Sequence, residues 1–325
     1  MQASFMHFLK IYCISVSLLT SCYPQFSYSL FFNITSFNSE TDNIGFEGDT
    51  ALSDDGTVWL TSLKYPWRVG HLTYDQPIRL WDSAKGVLAD FRTRFSFTID
   101  RVNPGKYSDG FAFFMADISY SIPPNSVAEY LGLLNTSSVE NVSENRLVMV
   151  EFDTYSNADF DPPDVDQHVG INQNSLSSRA YANFNIDGNE GKKGHVLITY
   201  NATTKYLLVY WSFNKSLTGL LPKSANLSLK INLMEILPEW IKIGFSASTG
   251  PNPQKQVIHS WEFSSTWNST DSNTGRNGER KSNVLLIVSV TCSLCLVILV
   301  VCLCWYLVYR SRRKLQDNSN QNSRF

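Results

Sequence analysis

Between Tyr23 and Thr291 the chain contains no cysteine; its six, Cys13, Cys22, Cys292, Cys295, Cys302 and Cys304, lie near the two ends. That absence excludes a disulfide framework for the middle of this 325-residue chain. Anything folded there is held by an apolar core, by metal, or by both. Charge is scarce as well: 17% of residues are charged and the net charge is −2. Such a balance gives no general attraction to nucleic acid or to an acidic surface, so no nucleic-acid partner is expected. Helical periodicity of apolar residues is nearly missing too, which points to an all-β chain.

The ends themselves are apolar. Lys10 precedes the run ISVSLLTSC, and small residues follow at Ser27 and Ser29. That order predicts a secretory signal peptide over residues 1–29; as a membrane span the run is short, and Pro24 and Gln25 interrupt it. Near the other end, 284–309 offers 26 residues without a charge, where about 20 suffice to cross a bilayer as a helix. Trp305, Tyr306 and Tyr309 match an interfacial aromatic belt, and Arg310, Arg312, Arg313 and Lys314 mark the cytoplasmic side. The expectation is a single-pass type I protein of the plasma membrane. An extracellular domain spans 30–265, a polar stem 266–283, a transmembrane helix 284–309 and a short tail 310–325. Cys302 and Cys304, near the inner leaflet, read as small helix residues or as palmitoylation sites. Glycosylation sequons stand at Asn33, Asn135, Asn141, Asn201, Asn214, Asn226 and Asn268, all within the expected outer part.

Residues 30–263 read as strand after strand. FRTRFSFTI (91–99) alternates Phe91, Phe95, Phe97 and Ile99 against Arg92, Arg94, Ser96 and Thr98. HVLITYNATTKYLLVYWSF (195–213) holds two alternating runs around the NATT hairpin signal, and SLKINLMEIL (228–237) has room for one helical turn. Many short strands separated by turn residues predict a two-sheet sandwich.

One stretch carries chemistry: VEFDTYSNADFDPPDVDQHVGI (150–171), with six acidic residues in 22. In a strand, Glu151, Asp153 and Tyr155 point to one side and Phe152 to the other. Two carboxylates on one face repel unless a cation separates them. Asn157, Asp161 and His168 follow; oxygen ligands suit calcium, and an added imidazole suits manganese or another transition ion. Spacing alone leaves a solvated acidic loop and a metal cage both open. Glycoside hydrolysis by alternate carboxylates fits poorly, because the next position on that face is Tyr155, so no enzyme is expected.

EFDTYSN, then Asp161-Pro162, then HVGI closely resembles the metal-binding signature of the legume lectins, and most of all the L-type lectin-domain receptor kinases of plants. The resemblance runs through LFFNITSF, NIGFEGDTAL, SDGFAFFMA, YLGLLN, GFSASTG and HSWEFSS. It implies a jelly-roll sandwich carrying calcium beside a transition ion. Calcium would take Asp153, the Tyr155 carbonyl, Asn157 and Asp161; manganese or a similar ion would take Glu151, Asp153, Asp161 and His168. It also implies a sugar site built on Asp109, Asn157 and the Tyr155 ring, with a cis peptide between Ser108 and Asp109. Glu129 and Asn252 stand where further contacts are expected. Two departures count. Val127-Ala128-Glu129 replaces a glycine-rich run, and Pro251 has no N–H to donate.

These readings predict a membrane-anchored lectin that binds a carbohydrate or glycoconjugate. No H-R-D or D-F-G kinase motif occurs in the chain, so signalling would need a co-receptor kinase in the membrane. The competing expectation is a lectin fold that has lost its sugar and binds proteins or peptides. Family members pair through sheet edges, which leaves a homo-oligomer open.

Overall fold

The computed structural model describes residues 30–101, 108–214, 217 and 224–267. The expected signal peptide, all but the first two residues of the stem, the membrane segment, the tail and Asn268 lie outside the described residues.

Two antiparallel sheets make up the domain. One has seven strands in the order β12 (Ser178–Asn183), β11 (His168–Gln173), β10 (Leu147–Asp153), β9 (Gly110–Asp117), β16 (Trp240–Ser248), β5 (Val69–Arg79) and β2 (Ile44–Gly48). The other runs β15 (Leu227–Lys230), β14 (Tyr206–Ser212), β13 (Gly194–Asn201), β8 (Asp90–Arg101), β17 (Gln254–Thr266), β4 (Val58–Trp59) and β3 (Ala51–Leu52), with β1 (Leu30–Ile34) also on β17. A small hairpin pairs β6 (Trp81–Asp82) with β7 (Val87–Leu88).

The expected hairpin around 201–204 forms between β13 and β14. Its turn closes where the Lys205 N–H donates to the Asn201 carbonyl at 2.7 Å. In 228–237 the sequence first pairs as strand β15, and a single 3-10 turn follows at Leu233–Glu235. The helix Thr136–Glu140 had no periodic signal; Asn135 caps it, its Oδ1 accepting from the Ser138 N–H at 3.0 Å.

Alternation explains the core. Inward residues of both sheets, among them Phe95, Phe97, Phe111, Phe113, Phe152, Phe245 and Trp261, form one apolar cluster. Phe111 and Phe152 stack there at 4.7 Å between ring centroids. The opposite face of the seven-stranded sheet is covered as well. Ala112, Phe114, Ala116, Leu147 and Met149 pack beneath Leu133, Leu134 and Leu176.

Outward polar side chains hold that cover down. The buried His71 Nε2 lies 2.9 Å from the Gly132 carbonyl, the Ser246 hydroxyl donates to Leu131 O, and Lys242 Nζ donates to Tyr120 O at 2.6 Å. The covering loop therefore delivers Ala128 and Glu129 to a fixed place at one end of the sheet.

Candidate functional site

On β10, Val148, Val150 and Phe152 face the inter-sheet core, while Leu147, Met149, Glu151 and Asp153 share the outer face. The carboxylates thus sit at the end of an otherwise apolar row. Asp153 pairs in register with His168 on β11, and Glu151 with Gly170. Glu151 Oε1 lies 3.0 Å from His168 Nε2 and accepts from the Ser178 hydroxyl on β12.

After β10 the chain folds into a tight loop. The Tyr155 N–H donates to Asp153 Oδ1 at 2.7 Å, the Asn157 N–H donates to Asp161 Oδ2, and the Asp161 N–H returns to the Asn157 carbonyl at 2.9 Å. Ligand atoms of Asp153, Asp161 and His168 all lie within 4.8 Å of one another.

Electrostatically the cluster is frustrated without a cation. Burial, then Asp161 and Glu151, push the Asp153 carboxyl well above its ordinary range. Burial raises Asp161 to about 6, against the opposing Asn157 N–H. Burial disfavours charge on His168, but the Glu151 carboxylate beside it raises its pKa on balance. Among the described residues, the buried Oδ1 of Asn157 and Nδ1 of His168 have no hydrogen-bond partner. Convergent carboxylates, an orphaned amide oxygen and an imidazole are a donor set that fits hard and borderline divalent ions.

Asp109 lies close to this cluster, immediately before β9. The peptide bond before it is cis, and its side chain is 2% exposed. Its carbonyl accepts from Thr154 N–H at 2.8 Å and from Thr154 Oγ1 at 2.7 Å, and its N–H donates to Ser248 O at 3.2 Å. Ser108 Oγ donates to Asp109 Oδ2 at 3.0 Å and accepts from the Gly250 N–H at 2.9 Å. Gln254 Oε1, fully buried, accepts from Ser108 N–H at 3.3 Å. Burial raises Asp109 to about 7 despite the Ser108 hydrogen bond, with Glu129 and Asp161 adding to the shift.

Around Asp109 the other expected residues fall as follows. Tyr155 is exposed and Asn157 is half-buried. Glu129 is half-buried and near enough for its charge to act on Asp109. Ala128 adopts φ +59°, the left-handed conformation of a glycine position, at Ala rather than Gly. Asn252 is half-buried on the loop beyond Gly250, and among the described residues no hydrogen bond links it to Asp109. Sequence reasoning missed Ser108, Thr154, Gln254 and Ser178. Among the sequons, Asn33, Asn141, Asn201, Asn214 and Asn226 are exposed, whereas Asn135 is half-buried in its cap.

A family model described as the legume lectin domain matches residues 29–279. The chain belongs to the legume lectin family. It is 37% identical over 293 residues to an L-type lectin-domain containing receptor kinase, IX.1, of Arabidopsis thaliana, covering 90% of this chain and 44% of that protein. The chain therefore spans less than half the length of that curated relative. Among solved legume lectins, peanut lectin with a 9mer peptide superposes with a TM-score of 0.65 at 33% identity, covering 74% of this chain and 99% of that one. A lectin from Bauhinia forficata in complex with GalNAc gives 0.63 at 31% identity, covering 74% and 99%. The two-sheet sandwich of this lectin domain is accordingly the family's jelly roll.

Proposed function

We propose that this chain is a membrane-anchored lectin at the plasma membrane whose extracellular domain binds a carbohydrate or glycoconjugate. The observation that carries the reading is a buried carboxylate, Asp109, which feels the charge of Asp161 in the cation-ready cluster of Asp153, Asp161 and His168 and whose carbonyl is bonded by Thr154, the residue before the exposed Tyr155. Calcium would be held by Asp153, the Tyr155 carbonyl, Asn157 and Asp161, and manganese or a similar ion by Glu151, Asp153, Asp161 and His168. Bound there, the ions would neutralise the crowded carboxylates and fix the loop that carries Tyr155 and Asn157. Asp109 would accept hydrogen bonds from sugar hydroxyls, the Asn157 amide would donate one, and the tyrosine ring would stack on the C–H face of the sugar. Glu129 and Asn252 stand at the rim. The sugar complex of the Bauhinia relative supports this reading.

The two departures tune the site. Ala128 keeps the backbone of the glycine position. Pro251 removes one donor, and one missing hydrogen bond costs about 1–2 kcal/mol, or about tenfold in affinity. Any signal would pass to a co-receptor kinase in the membrane. A second reading, a protein or peptide interaction module, is favoured by Glu129, whose negative charge faces a carboxylate that must itself bind the sugar.

A glycan array probed with the full chain, loaded with calcium and manganese, separates the two. Glycan binding that Asp109→Asn lowers by about a hundredfold or more, two hydrogen bonds' worth, supports the lectin. A folded, metal-loaded chain that binds no glycan supports the interaction module.

A further inference from the structure

Phe31 is 66% exposed, more than any other large apolar side chain among the described residues. Its neighbour on β1 is well housed: Phe32 faces inward and packs on Tyr74 at 4.5 Å and on Trp261 at 5.0 Å between ring centroids. Alternation sends Phe31 to the opposite, outer face of the sheet. There it stands in register with Ser264 of β17. It belongs to neither apolar cluster and makes no ring contact among the described residues. Other exposed aromatics have partners: Arg68 lies over Tyr65, Arg79 over Trp240, and the Tyr181 hydroxyl donates to Asp164.

Asn33 shares that outer face two residues further along β1, with Cα atoms about 7 Å apart. It opens the sequon Asn33-Ile34-Thr35, and both Asn33 and Thr35 are exposed. Among the described residues the Asn33 side chain has no hydrogen-bond partner. Glu262, in register with it on β17, is held instead by Arg94 at 3.2 Å.

The other sequons differ on both counts. At Asn135 and Asn141 the Nδ2, where a glycan attaches, donates to a backbone carbonyl. At Asn201 and Asn226 the Oδ1 accepts from a backbone N–H. Two positions before the remaining sequon asparagines stand Leu133, Val139, Thr199, Ser212, Ser224 and Thr266. Only Asn33 has an aromatic ring there, and that ring is exposed on its own side of the strand. A pyranose whose substituents are equatorial presents a face of C–H groups, which packs on an aromatic ring.

We propose that Asn33 carries an N-linked glycan whose innermost N-acetylglucosamine stacks on Phe31 and stiffens β1. In the transfer the Nδ2–C1 bond forms, the bond from C1 to the diphosphate of a lipid-linked oligosaccharide breaks, and Nδ2 gives up one proton. The attached sugar covers the ring that the fold leaves bare, on a strand that pairs with β17 alone. The inference rests on the extracellular placement of the domain and not on what the domain binds.

The test uses the full chain made in a host that adds oligomannose glycans. Glycopeptide mass spectrometry reads occupancy, and hydrogen–deuterium exchange reads the β1 amides. Asn33 should be occupied. Thr35→Ala, which removes the sequon and leaves Asn33 in place, should speed β1 exchange by about threefold or more, as expected for loss of a stacked ring pair. Trimming with an endoglycosidase that leaves one N-acetylglucosamine should keep β1 within about twofold of the intact glycoprotein. In a Phe31→Ser chain, Thr35→Ala should add no further acceleration; in a Phe31→Tyr chain, which keeps a ring, it should still act. Acceleration on trimming, or acceleration by Thr35→Ala that persists in the Phe31→Ser chain, overturns the stack. So does an unoccupied Asn33 in a chain glycosylated elsewhere, or equal exchange with and without the glycan. A chain that carries no glycan at any sequon overturns the extracellular placement as well.

Discussion

Gly170 stands directly across the β10–β11 ladder from Glu151, and a Cβ added to it would lie 2.3 Å from Glu151 Oε1 and closer still to the Ser178 hydroxyl. The glycine is there because the carboxylate needs the space. Gly170→Ala should therefore turn Glu151 away from His168. Overpacking of this kind costs about 1–3 kcal/mol, so the fold survives. A manganese titration followed by electron paramagnetic resonance should show weakened uptake of the transition ion; wild-type uptake in a folded Gly170→Ala chain would contradict the assignment of Glu151.

Protons and metal should compete for the same carboxylates. In the metal-free domain burial raises Asp109 to about 7 and Asp161 to about 6, and raises Asp153 well above its ordinary range. Folded pKa values above unfolded ones near 4 contribute stability that is fully present below about pH 4 and is lost as the pH rises through about 6 to 7. Bound cations hold the charged forms and reverse that loss. Metal affinity should then fall by about tenfold or more per pH unit between about pH 7 and pH 5. His71, lowered to about 4 by burial, titrates with the opposite sign, but it does so in metal-loaded and metal-free protein alike. Calcium calorimetry across this window checks the slope, and a flat profile contradicts it.

Gly250 separates binding from stability. A Cβ there would meet Ser108 Oγ at 2.6 Å and Asp109 Oδ2 at 3.0 Å, with Ala128 Cβ at 3.5 Å behind them. Gly250→Ala should displace the Ser108 hydroxyl from Asp109 and weaken glycan binding by about tenfold or more. Metal content should stay unchanged, as read by elemental analysis. Unaltered glycan binding would remove Asp109 from the site.

Much of this was legible in the sequence, and the rest has a physical reason for being hidden. Alternation in LVMVEFD placed Glu151 and Asp153 on one face and Phe152 on the other, because the side-chain period of a strand is fixed by the backbone. In the structure Val150 joins Phe152 in the inter-sheet core, and Met149 lies on the outer face. What escaped is non-local. Gln254 reaches Ser108 from 146 residues away and Thr154 from 100, and Ser178 reaches Glu151 across the intervening strand β11. No spacing rule encodes such contacts. Ala128 escaped for another reason. The sequence showed only that Val127-Ala128-Glu129 replaces a glycine-rich run; the structure shows Ala128 at φ +59°, at a cost of about 1–2 kcal/mol for an L-residue.

Asn135, the asparagine of a sequon, caps a helix. Its Oδ1 accepts from Ser138 N–H, and its Nδ2, the atom a glycan would occupy, donates to Pro124 O at 3.1 Å. Asn135→Gln should destabilise the domain by about 1 kcal/mol through loss of the cap, even after enzymatic deglycosylation. Ser137→Ala, which removes the Asn135-Thr136-Ser137 sequon and keeps the cap, should not. Denaturant melts of both deglycosylated variants decide it, and equal stabilities would contradict the cap's role.

The metal cluster and Asp109 form one site if sugar binding depends on the ions. The deciding measurement is binding of an array-selected glycan to the full chain with calcium and manganese present, after chelation, and after both ions are restored. Binding should be lost on chelation, return on restoration, and be absent in Asp109→Asn throughout. Glycan binding that persists in a chain shown by elemental analysis to be metal-free would contradict the reading of 151–168 as the scaffold of the sugar site.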